Sequence, residues 1–424
     1  MIDVLHIYYE GDVVGYLHYD RSSDSLTLTY ARSWYDQPQF FPASLSLRQR
    51  TNEDAPVRTF LWGLLPDNPS VLEAWGKSFH VSPRNPFDLL KHVGEDCAGA
   101  LQLIRPHRIE RILSGELDRL TPLTKKQVKG RLDKLLSQSS SRPIRTEGRF
   151  SLAGAQRKDA LQLIGRKWHH PEGRHPTTHI IKPQIEFDHH SLNEHFCLTL
   201  ARLSGLPVPS TSLLDFGEFH ALVVKRYDRQ PGDNGSYTRI HQEDFCQALA
   251  IHPSLKYENE GGPSVSQIIR ILRQFSMTAS HDIDNFIRAL ALNWVVLGTD
   301  AHAKNYSLLI APQSTFRLAP FYDIASFLPY LEPNQRKIDF AMKYGSKYRD
   351  SYLGLEQWLG MATKAQLPPK QVLTIVTTYL ENLQSALPKA YRAVGKKHDC
   401  AFLTALYQSI TQRLERCQSR LIEK

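Results

Sequence analysis

The sequence predicts an α+β chain, with a β-rich amino-terminal region followed by a mostly α-helical carboxy-terminal domain. Alternating apolar stretches such as Val4–Tyr9 and Ser25–Tyr30 mark the first part as strands, whereas amphipathic helical patterns dominate from about residue 242 onward. A length of 424 residues with 41% hydrophobic content is enough for two or three domains with a sizeable core.

Residues 1–105 read as a first β-rich subdomain. Its strands are followed by a helical stretch at about Thr59–Phe79, broken near Pro66 and Pro69, and Ala100–Ile104 is the closing strand. Residues 106–240 form the next region. A helix at about Thr124–Leu136 leads into the Ser-, Pro- and Gly-containing run 137–148, expected to be a mobile connection. Phe150–Ile164 then reads as strand, small-residue turn, strand. Thr178–Lys182 is a short strand, about Leu192–Leu203 a helix, and Ser212–Phe216 and Ala221–Arg229 two further strands. Residues 241–424 form the helical domain, with helices at about Gln242–Ile251, Val265–Phe275, Tyr352–Ala362, Pro369–Ala386 and Ala401–Leu421.

Phosphotransferase chemistry is suggested by Thr299-Asp300-Ala301-His302-Ala303-Lys304-Asn305 together with Phe321-Tyr322-Asp323. A phosphoryl-transfer site needs an Asp to orient the acceptor hydroxyl, an Asn a few residues on to hold a metal, and a second Asp to bridge metal and phosphates. Here the Asp-to-Asn interval is five residues, and the second Asp follows the Asn by 18. Such a spacing also arises by chance, so its context matters. Ile283, Ile287, Leu290, Trp294 and Leu297 fall on one face of a helix over 282–298, with Gly298 available to end it. The motif then lies just past a buried helix. Strands at Tyr306–Ile310 and Thr315–Leu318 return the chain so that Asp323 converges with Asp300 and Asn305.

Two more segments fit the same chemistry. Ala153, Gly154 and Ala155 would let backbone N–H groups approach phosphates, with Lys158 adding charge, although small residues equally mark a plain hairpin turn. Lys182 ends its strand with a possible reach toward phosphates. Glu194 is a candidate partner for it, against the simpler reading of an exposed acid at a helix start.

Composition bounds the setting. A formal charge of +9 favours an acidic partner, but the basic residues are spread along the chain, so a solvated basic surface is an equal alternative. No segment approaches the ~18 uninterrupted apolar residues of a membrane helix, and a cytoplasmic protein without membrane contact is expected. The five cysteines lack Cys-x-x-Cys spacing. His169, His170, His175, His179, His189, His190 and His195 crowd one stretch, but Pro176 opposes the helix that a His175–His179 pairing would need, so no metal site is expected there.

Over nearly its full length the chain resembles the HipA family, serine/threonine kinase toxins of bacterial type II toxin–antitoxin modules. The resemblance rests on Arg149-Phe-Ser-Leu-Ala-Gly-Ala-Gln-Arg-Lys158, Pro176-Thr-Thr-His-Ile-Ile-Lys182, Asn193-Glu194, Arg226-Tyr-Asp-Arg229 and Gln242-Glu-Asp-Phe-Cys-Gln247. It continues through Lys256-Tyr-Glu258 with Gly261-Gly-Pro263, the Asp300–Asn305 motif and Pro320-Phe-Tyr-Asp-Ile324. Leu64-Leu-Pro-Asp67 and Pro86-Phe-Asp-Leu-Leu90 look like the extra amino-terminal subdomain of full-length members.

The resemblance implies a kinase-like two-domain fold with ATP in the interdomain cleft. It makes Asp300 the catalytic Asp, with His302 and Lys304 beside it, and Asn305 and Asp323 ligands of Mg2+. Residues Ala153, Gly154, Ala155, Gln156, Arg157 and Lys158 form the phosphate loop, and Lys182 contacts the phosphates. Lys225 and Tyr227 offer backbone groups to the adenine, while Asp228, Gln242 and Tyr322 line the nucleotide pocket. Ser151 matches an autophosphorylation site. A translation component, possibly glutamyl-tRNA synthetase or another aminoacyl-tRNA synthetase, is the implied substrate. A HipB-like DNA-binding antitoxin is the implied partner, bringing operator DNA indirectly. The alternative is a catalytically weak corepressor acting with that helix-turn-helix antitoxin on DNA. Two departures stand out. Arg157, where the family commonly has Glu, is expected to place a cation near the phosphates. Ala301, where Gly is usual, would cost roughly 1 kcal/mol in a left-handed backbone.

Overall fold

The computed structural model describes residues 2–137, 150–184, 187–217, 219–233, 236–332, 335 and 337–422. Arg149 and nearly all of the expected connection at 137–148 lie outside the described residues. The chain divides into two compact units: Met1–Pro183, Val224–Ser254 and Leu308–Thr315 in one, Gln184–Val223, Leu255–Ser307 and Phe316–Lys424 in the other.

In the first unit, the expected strands join others into a five-stranded antiparallel sheet. Its order is Thr51–Glu53, Ser25–Tyr30, Asp12–Asp20, Ile2–Tyr9, Gln102–Ile104. The register places Leu5 opposite Leu17 and Leu17 opposite Leu28, a row of leucines with no solvent exposure. Alternation along Ser25–Tyr30 turns Leu26, Leu28 and Tyr30 inward, as a one-sided sheet requires. Helix Asp54–Gly63 packs on that strand, and Pro69–Phe79 and Pro86–Val93 follow, each with Pro at its first turn and an Asn N-cap.

A second antiparallel sheet in this unit runs His179–Lys182, Asp159–Ile164, Lys167–Glu172, Arg119–Leu123. The chain re-enters the unit at Val224, where Arg226 N–H donates to the Thr178 carbonyl at 2.9 Å. Helix Lys125–Ser137 is tied to this sheet by the bidentate pair of Arg131 with Asp159, at 2.6 and 2.9 Å.

The second unit is mostly helical. The 30-residue helix Pro369–His398 packs against His190–Leu203, Ala279–Val296, Leu355–Lys364 and Ala401–Ser419. It continues past Ala386, the end expected from the sequence, and runs through Pro388. An interior Pro costs about 3 kcal/mol, but Leu387 just before it and Ala390 and Val394 beyond it are buried and extend the apolar stripe of Val372, Val376, Tyr379, Leu380 and Leu383. In the first unit, the expected helix over 242–251 is instead a strand, His241–Asp244, followed by the short helix Phe245–Ala248. The two meet at a capping box made by Asp244 and Gln247.

Helix Ala279–Val296 is buried on most sides and carries Ile283, Ile287, Leu290 and Trp294 inward. The Trp294 carbonyl, orphaned at the helix end, accepts from Arg413 Nε at 3.0 Å. Leu297 rather than Gly298 takes the left-handed cap position, at φ 55°. Gly298 is required for a different reason: a Cβ there would sit 2.4 Å from Asn293 Oδ1. Among the described residues no helix is long and apolar enough to cross a membrane.

Candidate active site

In the second unit, the chain leaves Gly298 into the loop carrying Asp300. Asp300 is exposed, whereas His302, Lys304 and Asn305 are 4, 5 and 7% exposed. His302 N–H closes a tight turn on the Asp300 carbonyl at 2.8 Å, and Ala303–Asn305 forms one turn of 3-10 helix. Asn305 Nδ2 donates to the same Asp300 carbonyl at 2.9 Å. That bond orients the amide, so its oxygen is presented as a hard ligand. Ala301 keeps an ordinary negative φ, so the Gly-to-Ala departure carries no left-handed cost.

The returning strands, Ser307–Ala311 and Thr315–Leu318, bring the second acid alongside. Tyr322 Oη donates to the Lys304 carbonyl at 2.8 Å and lies 2.6 Å from Ser307 Oγ, which fixes Asp323 next to the loop. Asp323 itself is exposed and adopts φ 58°. Left-handed backbone at a residue other than Gly is uncommon, and Asp tolerates it better than most.

Sequence reasoning assigned no role to Tyr257, although its Lys256-Tyr-Glu258 triplet was visible. Tyr257 Oη donates to Asp300 Oδ1 at 2.5 Å, and its ring meets His302 edge-on at 5.2 Å. The segment is anchored on both sides. Ala303 N–H donates to the Lys256 carbonyl at 3.3 Å, and Glu258 Oε2 accepts from Lys343 N–H at 2.7 Å. Burial pushes the Glu258 carboxyl above its usual range despite that bond. Glu194, which the simpler reading made an exposed acid, is 1% exposed within helix His190–Leu203.

The first unit holds the remaining predicted residues. The expected strand at Phe150 is not formed; Phe150 makes a single bridge to Asp96, and regular structure begins only at Asp159. Ser151 is fully buried and donates from Oγ to the Leu64 carbonyl at 2.6 Å. Three successive loop carbonyls have protein donors: Ala153 bonds Lys158 Nζ, Gly154 bonds Asp67 N–H at 3.2 Å, and Ala155 bonds Asn68 Nδ2 at 3.1 Å. Gly154 sits at φ 104°, a conformation that calls for glycine. Gln156 Nε2 donates to the Pro183 carbonyl at 3.2 Å, linking the loop to the strand that ends in the buried Lys182.

Two more of these residues are engaged within the protein. The Arg157 guanidinium donates to the carbonyls of Leu135 and Leu136, at 2.5 and 3.1 Å. The end of helix Lys125–Ser137 leaves carbonyls without intrahelical donors, and a cation there is favoured. Asp228, expected to line a pocket, has its carboxylate engaged by Arg226, Arg229 and the Gly99 N–H, at 2.7, 3.0 and 2.8 Å, and is 2% exposed. Gln242 reaches it at 3.3 Å and accepts from Tyr227 Oη. Lys225 is exposed at the end of its strand.

Among the described residues no group of three or more His, Cys, Asp or Glu is arranged to hold a metal. Asn305 and Asp323 nonetheless suit magnesium, which takes few protein oxygens and completes its shell with water and phosphates.

Comparison with known proteins places the fold. The HipA-like C-terminal domain profile matches residues 150–387, and the HipA N-terminal domain profile residues 5–104. The chain belongs to the HipA family. A putative kinase of Sinorhizobium fredii is 35% identical over 396 residues, covering 92% of this chain and 92% of that protein. The serine/threonine-protein kinase toxin HipA of Shewanella oneidensis is 28% identical over 432 residues, covering 97% and 94%. The solved complex of Shewanella oneidensis HipA with HipB and operator DNA matches with a TM-score of 0.85 at 24% identity, covering 98% of this chain and 97% of that one. The HipA-family chain thus has an α+β, kinase-like two-domain fold, and it is an enzyme of the protein serine/threonine kinase class.

Proposed function

We propose that this HipA-family kinase uses ATP and magnesium to phosphorylate Ser or Thr of a cytoplasmic translation component, an aminoacyl-tRNA synthetase such as glutamyl-tRNA synthetase, as a growth-arresting toxin. The observation that carries this reading is the exposed Asp300 carboxylate in a loop locked by the Asn305 amide. Asp300 orients the acceptor hydroxyl and takes its proton. Magnesium held by Asn305 and Asp323 would neutralise charge on the phosphates. In the first unit, the carbonyls of Ala153, Gly154 and Ala155 are committed to protein donors, which leaves peptide N–H groups of this loop to face an anion, with Lys182 adjacent in sequence to the Pro183 that Gln156 grips. Lys225 and Tyr227 offer backbone groups to the base, and Asp228 with Gln242 holds that segment in place.

Tyr257 is the hydroxyl that holds Asp300. One carboxylate oxygen accepts from it, leaving the other for the substrate. Tyr257→Phe is expected to lower kcat about tenfold with KM for ATP unchanged, because a hydrogen bond to a charged group is lost only where phosphate is transferred. Steady-state kinetics on a Ser/Thr peptide that yield a parental kcat would remove that role.

Ser151 is the proposed autophosphorylation site. Its hydroxyl must first leave the Leu64 carbonyl, and a phosphate bringing about −1.5 to −2 charges would keep the loop from closing again on ATP. A HipB-like antitoxin, through which the chain reaches operator DNA, is the proposed partner. Incubating the purified chain and a cell lysate with radiolabelled ATP and magnesium tests the enzyme reading. Label is expected on Ser151, located by mass spectrometry, and on a lysate protein. Label on neither leaves the corepressor reading.

A further inference from the structure

The first unit holds its loop in a manner that suggests a positioning residue. Four bonds join 151–155 to distant segments: Ser151 N–H to the Asp96 carbonyl at 3.0 Å, Ser151 Oγ to Leu64, Asp67 N–H to Gly154, and Asn68 Nδ2 to Ala155. Pro66 and Gly154 also form a parallel bridge. The segment making most of these contacts, Leu64–Asn68, is short and held at both ends. Leu64 caps helix Asp54–Gly63, and Asn68 is the N-cap of helix Pro69–Phe79, its Oδ1 accepting from Ser70 N–H at 3.0 Å. A stiff link between two helices is a good mount for a loop that must keep one shape.

We infer that Asn68 positions the phosphate loop: its amide oxygen caps a helix of the amino-terminal subdomain while its amide nitrogen grips the Ala155 carbonyl. This rests on the kinase reading proposed above. Asn is suited to the place because it offers an acceptor and a donor on one short, uncharged side chain. Ser would cap the helix as well as Asn but is one bond too short to grip the loop. Asp would cap equally and would add a charge beside the phosphates, so it does not separate the two effects.

The test uses the full chain with Asn68→Ser and Asn68→Ala. Hydrogen exchange at 151–155 is followed without nucleotide, and ATP affinity is measured by titration. Both variants are expected to exchange about fivefold faster over 151–155 and to bind ATP about fivefold more weakly, the consequence of one lost neutral hydrogen bond. The melting temperature should be parental in Asn68→Ser and lower in Asn68→Ala, which alone loses the cap. Parental exchange in Asn68→Ser overturns the grip. Faster exchange with parental ATP affinity overturns the positioning role. A parental chain that binds no ATP overturns the kinase reading, and the positioning role with it, while the exchange rates still report the contact itself.

Discussion

Asp300→Ala is expected to reduce phosphate transfer by about 10²–10⁴-fold, the range for removing a positioned acid or base. The fold should survive. Asp300 is exposed, its carbonyl rather than its side chain holds Asn305, and exposed substitutions away from caps and networks usually stay within about ±0.5 kcal/mol. A thermal melt unchanged from the parent, beside radiolabel transfer at background, is therefore the expected pair of results. Asp300→Asn sharpens it. The Asn oxygen still accepts from Tyr257, so the loop geometry persists, but the side chain no longer takes a proton. If Asp300→Asn transfers phosphate at the parental rate, Asp300 is not the residue that takes the acceptor's proton.

The Asp300–Asn305 motif was legible because its signal is local. A strongly apolar helix precedes it, a short hairpin follows it, and its own turn is closed by the local bonds of His302 and Asn305 to the Asp300 carbonyl, whereas the Tyr257 and Lys256 contacts that also hold it come from more than 40 residues away and were not read. The strands at 307–311 and 315–318 were expected within one residue of where they lie. The proposed phosphate loop was legible as a composition but not as a structure. Its partner for Ser151 is Leu64, 87 residues away, so nothing in 150–158 signalled that a docked loop would replace a hairpin. The partners of Arg157 were hidden for the same reason, since the helix end that it bonds lies 21 and 22 residues earlier. The strand at His241–Asp244 was hidden by an apolar period that mimics a helix, yet the Asp244-Phe-Cys-Gln247 capping box marked the true helix start and was readable.

Asp96→Ala is expected to destabilise the first unit by about 3–5 kcal/mol, the cost of leaving buried charge without its partner, and to lower its melting temperature by about 10 °C. Three guanidinium groups, Arg226, Arg229 and Arg239, lie within 3.8 Å of the Asp96 carboxylate, and Asp228 is the second acid among them. Removing Asp96 leaves the three cations only Asp228 and, at 4.0 Å from Arg239, the less buried Glu10. The Thr177 N–H and hydroxyl, at 3.0 and 2.7 Å from Asp96, also lose their acceptor. Burial already presses on this group, pulling the Arg229 guanidinium down to about 10. Burial alone would raise the Asp96 carboxyl, but Arg229, Arg226, Arg239 and Thr177 outweigh it and hold it well below the usual range. A carboxyl depressed in the folded state stabilises above its unfolded value near 3.9 and loses that contribution as pH falls toward the folded value. The parent should therefore lose stability from about pH 5 downward more steeply than Asp96→Ala, and the two curves should converge in acid. Asp36→Ala, which breaks the exposed Arg32–Asp36 pair, is the control, expected to cost under about 1 kcal/mol at any pH. Equal melting of Asp96→Ala and parent at neutral pH would mean that this network does not hold the unit together. In that case the Asp96 carbonyl, which receives the Ser151 N–H, would not owe its position to the charges beneath it.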